Sequence, residues 1–348
     1  MKSKFLLYGL PILIFTAMIL SMASFTLLDA FVLDRPVWDT TVVSRPSSKP
    51  IETSSGALSD DPIDSSTPTT DDTPATEAPF TYPVSETWKY EDEHIKLLIE
   101  ESTVTNQNGI DNVVFYIDLQ LSDIHYLRAF INTDSRGRVS TTPVSSMAEK
   151  NGAFFAINGD YFSMRQSGFV MRNYVTYRQW AREADDPFSD DALVFLADGT
   201  MLIVDESDTF YGDTPSIFGL PDDTYQVFAF GPRLVEFGDI MVSETDEVGQ
   251  SAEANPRTAI GMIEPLHYKI VIAEGRLDRY DGRDGLTLYE LATVMKSLGC
   301  DTAYNLDGGS STTLYFDGEV LNETPSKERK ISDCIYINGR SYWDEVEK

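Results

Sequence analysis

Thr287-Leu288-Tyr289-Glu290-Leu291-Ala292-Thr293-Val294-Met295-Lys296-Ser297-Leu298-Gly299 is followed six residues later by Asn305-Leu306-Asp307-Gly308-Gly309-Ser310-Ser311-Thr312. The first stretch reads as a helix from Leu288 to Leu298. Thr287 is placed to cap it, Glu290 to complete a capping box and Gly299 to end it. Leu288, Leu291, Ala292 and Met295 recur at helical spacing, a stripe suited to packing on a sheet. The second stretch reads as a strand that stops in a glycine pair. Alternation puts Asn305 and Asp307 on one face and Leu306 on the other. Gly308 and Gly309 allow backbone to approach a ligand closely, and Ser310, Ser311 and Thr312 add hydroxyls. A helix on a sheet beside a polar strand end points to an α+β domain.

Working outward, alternating apolar runs predict strands over His94 to Glu100, Val113 to Leu121, Tyr126 to Ile131, Tyr225 to Phe230 and His267 to Ala273. Two hairpins are expected, one turning at Asp198-Gly199 and one at Asp317-Gly318, both as tight primed turns. A short helix is expected from Thr142-Pro143 to about Asn151-Gly152, with Pro at its first position. The domain is thus strand-rich, with a few helices packed on the sheet, over residues 84–348.

The N-terminal quarter is different. Lys2 and Lys4 precede Phe5 to Leu28, which has no charged residue until Asp29. Such a run is long enough to cross a bilayer, and the preceding lysines place its start in the cytoplasm. Residues 1–33 therefore read as a signal anchor, with the domain outside the cell membrane. The alternative is secretion after cleavage near Ala23, where Ser21 and Ala23 are small. Residues 34–83 carry eight of the 17 prolines, and nine acids against three bases. With no periodic apolar face, they read as a disordered extracellular linker.

Charge narrows the function. With 27 Lys and Arg against 56 Asp and Glu, the chain has a formal net charge of −29, and a nucleic-acid partner is disfavoured. The longest basic run is Lys327-Glu328-Arg329-Lys330. Two cysteines, Cys300 and Cys334, allow one disulfide or two buried thiols. Of the three histidines, His94 and His267 open predicted strands and His125 lies between two, and no serine lies in a nucleophile elbow. No EF-hand spacing occurs, so the sequence requires no cofactor and leaves divalent metal open.

Two further segments end apolar strands in polar or charged residues: Phe154-Phe155-Ala156-Ile157-Asn158-Gly159-Asp160-Tyr161-Phe162 and Asn255-Pro256-Arg257-Thr258-Ala259-Ile260-Gly261. Each alone could be a turn or a salt-bridged surface. Their order, together with the Gly285-Leu286-Thr287-Leu288 helix entry and the Asn305 to Thr312 motif, resembles the phosphodiester glycosidase domain family over about residues 90 to 340. Three departures are Glu274-Gly275-Arg276, where the family often has Asp-Gly-Arg, Asp160, where small or varied residues are common in the family, and Ser310 in a glycine position.

The resemblance implies an exported hydrolase that cleaves a sugar-1-phosphodiester in a cell-surface or extracellular glycan such as an exopolysaccharide. Glycoside hydrolysis usually uses two carboxyl groups. Asp307 is the first candidate, with Glu274 and Asp160 competing for the second role. Arg257 and Arg276 are the expected phosphate ligands, since a guanidinium fork matches phosphate oxygens. Asn158, Thr258, Asn305, Gly308, Gly309, Ser310 and Ser311 complete the expected binding set. The alternative is a surface carbohydrate-binding or polymer-assembly module without catalysis.

Overall fold

The computed structural model describes residues 81–182, 190–245, 253–276, 282–325 and 327–346. The expected anchor and nearly all of the expected linker lie outside these residues. Among the described residues no helix is long and apolar enough to cross a membrane.

The chain folds as a strand-rich α+β domain of three principal sheets. The largest has eight strands in the order Val84–Glu91, Ile95–Thr105, Asp111–Leu121, His267–Ala273, Arg257–Glu264, Thr302–Asn305, Arg233–Glu236 and Asp239–Ile240. A second runs Glu319–Val320, Leu314–Phe316, Phe155–Asn158, Asp333–Ile337 and Arg128–Ile131. The third runs Val175–Arg178, Val170–Arg172, Thr224–Phe228, Asp191–Leu196 and Met201–Asp205. Ile117, Ile270 and Ile272 from the first, Ile157, Leu314 and Ile335 from the second, and Leu193, Phe195 and Tyr225 from the third share one buried core.

The other face of the large sheet is covered by the Leu288–Ser297 helix. Its capping box is present, with the Thr287 side chain accepting from the Glu290 N–H and the Glu290 carboxylate accepting from the Thr287 N–H. Leu288, Leu291, Ala292 and Met295 are buried against Val114, Ala259, Val271 and Ala303. Each large apolar side chain so buried contributes about 1.5–3 kcal/mol. The helix lies close because Gly261 has no side chain: a Cβ there would sit 2.7 Å from both Cys300 Sγ and Met295 Cε. Burial on both faces explains why His267–Ala273 is almost continuously apolar instead of alternating.

Several expected elements shift. The short helix is Val144–Lys150, with Pro143 as N-cap and not as first helical residue. Residues Ile124–Tyr126 form a 3-10 turn, so the strand expected from Tyr126 begins at Arg128. Asp317 and Gly318 both have positive φ, 45° and 96°, as a primed turn requires. At Asp198-Gly199 only the glycine does, at 89°. The Gly199 N–H bonds Leu196 O at 3.0 Å and the Leu196 N–H bonds Thr200 O at 2.9 Å, the pattern of an ordinary turn closed by a glycine bulge. Cys300 and Cys334 are buried free thiols in separate apolar clusters.

Candidate active site

Asn158 ends a strand of the second sheet, Thr258 lies near the start of a strand of the first, and Asp307 follows the end of another. One hydrogen-bond web joins them. The Asn158 amide donates to the carbonyls of Asp307 at 2.7 Å and Gly159 at 3.1 Å. Its oxygen accepts from the Thr258 hydroxyl at 2.8 Å and the Thr313 N–H at 3.2 Å. The Leu306 N–H adds a bond to Thr258 O at 2.9 Å, and the Gly309 N–H bonds Pro256 O at 2.8 Å. Asn158, Thr258 and Asn305 are buried, and Asn305 donates to Gly231 O at 2.7 Å. They fix the floor of the site. Gly308 is required by packing, because a Cβ there would fall 2.7 Å from Pro256 O.

Above this floor a small cleft of about 40 Å³ is lined by Thr141, Asp160, Tyr161, Ser163, Met164, Asp307 and Arg329 to Ser332. Its two carboxylates are held differently. Burial raises the Asp307 carboxyl to about 6, and nearby Asp160 adds to this against the Ser311 hydroxyl, Arg329 and the Gly308 N–H. Burial would also raise Asp160, but Arg172 and Arg165 together with the Ala229 and Phe162 N–H groups hold it below the usual carboxylate range. Those N–H groups donate at 2.8 and 3.0 Å, and the two guanidinium groups approach to 3.1 and 3.7 Å. Two neighbouring acids pushed apart in this way can take different roles at one pH.

Beneath Asp160, the fully buried Arg172 also bonds Asp333 through Nε at 3.1 Å and Nη2 at 2.8 Å. Its guanidinium lies 3.9 Å over the Phe228 ring. Burial pushes the Asp333 carboxyl above its ordinary value despite that partner. Gly159 passes so near that a Cβ would lie 2.3 Å from Asp333 Oδ2. At the rim, Arg329 is exposed, lies 5.6 Å over the Tyr161 ring and reaches Ser311 Oγ at 3.4 Å.

The other expected residues gather beside this cleft, not in its lining. Glu274 is buried; its Oε1 accepts from the Glu323 N–H at 2.6 Å and its Oε2 pairs with Arg283, while burial raises its carboxyl to about 7. Arg257 donates to Leu286 O at 2.9 Å and Glu253 O at 3.0 Å. Burial and then the charge of Arg276 lower Arg257 to about 10. Arg276 is exposed with φ 56° and approaches Gly309. Ser310 is half-buried in the turn and Ser311 is buried.

Arg329, Arg172 and Asp333 were not singled out by the motif reading. Arg329 stood in the longest basic run, which is the signal that could have found it. Arg172 and Asp333 carry no local signal, because the pairing of distant strands brings them to Asp160. Among the described residues no cluster of three His, Cys, Asp or Glu is arranged to hold a metal ion.

The profile of the phosphodiester glycosidase family matches residues 151–338. The chain is 27% identical over 209 residues to the SPbeta prophage-derived uncharacterized protein YomE of Bacillus subtilis (strain 168), covering 58% of this chain. It spans only 30% of the length of that curated relative. The fold is similar to that of the zebrafish N-acetylglucosamine-1-phosphodiester alpha-N-acetylglucosaminidase catalytic domain auto-inhibited by pro-peptide. That likeness has TM-score 0.54 and 19% identity, over 74% of this chain and 89% of the other. A hypothetical protein from Synechocystis is alike at TM-score 0.49 and 17% identity, over 73% of this chain and 64% of the other.

Proposed function

The chain belongs to the phosphodiester glycosidase family, and from that premise we propose that it hydrolyses a sugar-1-phosphodiester, water displacing a phosphate monoester from the anomeric carbon. The observation that carries this reading is the pairing, in one cleft, of a buried Asp307 carboxyl raised to about 6 with the Arg329 cation at the rim. Asp307 in its ionised form stabilises positive charge developing at the anomeric centre and directs the attack there. A phosphate monoester is a good leaving group, so little protonation is needed and cations do more of the work. Arg329, with Lys330 beside it, meets the phosphate oxygens. Asp160, with both oxygens engaged by backbone N–H groups, acts as the fixed second negative charge. Glu274, held by Glu323 and Arg283, shapes the neighbouring wall.

The uncharged run Phe5 to Leu28 supports single-pass attachment to the cell membrane, with the domain acting on an extracellular phosphate-linked glycan. The test is release of free sugar by the full chain from UDP-N-acetylglucosamine and from other sugar-1-phosphodiesters, beside neutral aryl glycosides. Turnover of the phosphodiesters, lost in Asp307→Asn, is expected. Turnover of neutral glycosides alone rejects the class, and tight binding without turnover favours a carbohydrate-binding module.

A further inference from the structure

Exposed apolar surface is unevenly spread over the described residues. Trp180, Phe210, Tyr211 and Phe218 are 53%, 51%, 68% and 43% exposed, and backbone ties hold them in one region. Trp180 bridges Ser216. The Ile217 N–H bonds Gln179 O at 2.9 Å and the Ser216 N–H bonds Thr209 O at 2.8 Å. Phe210–Tyr211 pairs with Thr214–Pro215 in a tight hairpin, and the Tyr211 and Phe218 rings meet edge to face at 6.0 Å. Gly219 presses on the hairpin so closely that a Cβ would lie 2.3 Å from Phe210 O. Ile217 anchors the group in the core beneath. Large rings gathered in water on a hydrogen-bonded backbone mark a binding surface more than a packing accident.

Charge chooses the partner. Among the described residues between Arg182 and Arg233, Asp190, Asp198, Asp208, Asp213 and Asp222 are exposed, and this stretch of sequence has no Lys or Arg. Such a surface repels phosphate-rich polymers and anionic bilayers. We infer that the four rings form a platform for a neutral sugar chain, the part of the substrate beyond its phosphate-linked residue. This inference rests on the reading of the cleft as a phosphodiester glycosidase site. A pyranose offers flat C–H faces to an aromatic ring, while its hydroxyls donate to water and to nearby carboxylates.

The platform adjoins the cleft. The Phe162–Met164 turn carries the cleft residues Ser163 and Met164, and the Gly168 N–H bonds Trp180 O at 3.2 Å. Gly168 is four residues on from Met164, which limits that span to roughly 14 Å. A glycan with its phosphate end at Arg329 therefore reaches the rings within a few sugar units.

The experiment is calorimetric titration of the full chain in detergent with chitohexaose, maltohexaose and cellohexaose. At least one is expected to bind, and Trp180→Ala and Tyr211→Ala are each expected to weaken it tenfold or more. Hydrolysis of UDP-N-acetylglucosamine should stay at the wild-type rate in both variants. Binding is read without turnover, so an inactive cleft and an absent platform give different results. No binding of any hexasaccharide, or binding indifferent to both substitutions, overturns the inference. So does binding of hexalysine or phosphatidylglycerol vesicles that only the wild type shows, or a wild-type dimer that either variant dissociates.

Discussion

The side-chain amide of Asn158 donates to the main-chain carbonyl of Asp307 at 2.7 Å, while its oxygen receives the Thr258 hydroxyl at 2.8 Å. One buried amide thus positions the residue proposed to act at the anomeric carbon. Asn158→Ala leaves a carbonyl and a hydroxyl without this partner in a dry setting, a cost of about 2–4 kcal/mol. Turnover should fall by more than the loss of folded protein accounts for, because Asp307 drifts. Denaturant unfolding beside kcat at a temperature where the variant stays folded checks both.

Asp307→Asn should separate activity from stability. In the folded protein burial raises this carboxyl to about 6, against about 3.9 in an unfolded chain. The folded state then holds the proton more tightly, so its stability declines as pH rises from about 4 to about 6 and stays lower above. Removing the titrating group lifts that penalty. The variant should be more stable at pH 7 by at most roughly 3 kcal/mol, with no gain below about pH 4. Its turnover should be lost at every pH. For the wild type, kcat/KM on a phosphodiester should rise as pH passes about 6, as ionised Asp307 requires.

Arg329 and Arg257 should behave oppositely. Arg329 is exposed at the rim, so Arg329→Ala should raise KM for phosphodiesters about ten- to hundredfold, leave neutral aryl glycosides unaffected and barely move the melting temperature. Arg329→Lys should recover part of the loss. Arg257 donates to two main-chain carbonyls from a buried position, so Arg257→Ala should chiefly destabilise the fold. Kinetics on both substrate types beside thermal melts decide the assignment.

Arg172 lies between two buried carboxylates. Arg172→Met leaves both without their shared cation, at a cost of about 3–5 kcal/mol. Arg172→Lys keeps the charge but loses the fork and the stacking on Phe228, and should fall between the two in a denaturant titration.

The helix at Leu288 was legible because capping box, apolar stripe and terminal glycine agree over a short window. His267–Ala273 was legible to the residue. Tyr126 was misplaced because the Asp123 side chain caps a 3-10 turn there, accepting from the His125 N–H at 2.9 Å. In the site, the three motifs marked where the strands end, and the web from Asn158 through Thr258 to the Asp307 loop joins all three. The direction of Arg257 was not legible, since its carbonyl partners are set by the loops at Glu253 and Leu286. Arg172 and Asp333 meet Asp160 only through pairing across the third and second sheets, which no local spacing encodes.

The strand Asp333–Ile337 lies between Phe155–Asn158 and Arg128–Ile131 and bonds to both. A polypeptide still emerging from the ribosome has already made Asn158 and Asp307 but lacks the strand that seats the first and supplies the second carboxylate to Arg172. The strand that carries Asn158 therefore gains this neighbour only once the segment from Asp333 has been made. A chain cut off before Asp333 is expected to leave the Asn158 strand unpaired on that side and Arg172 without its Asp333 partner, so the site's support is completed only as that strand is made.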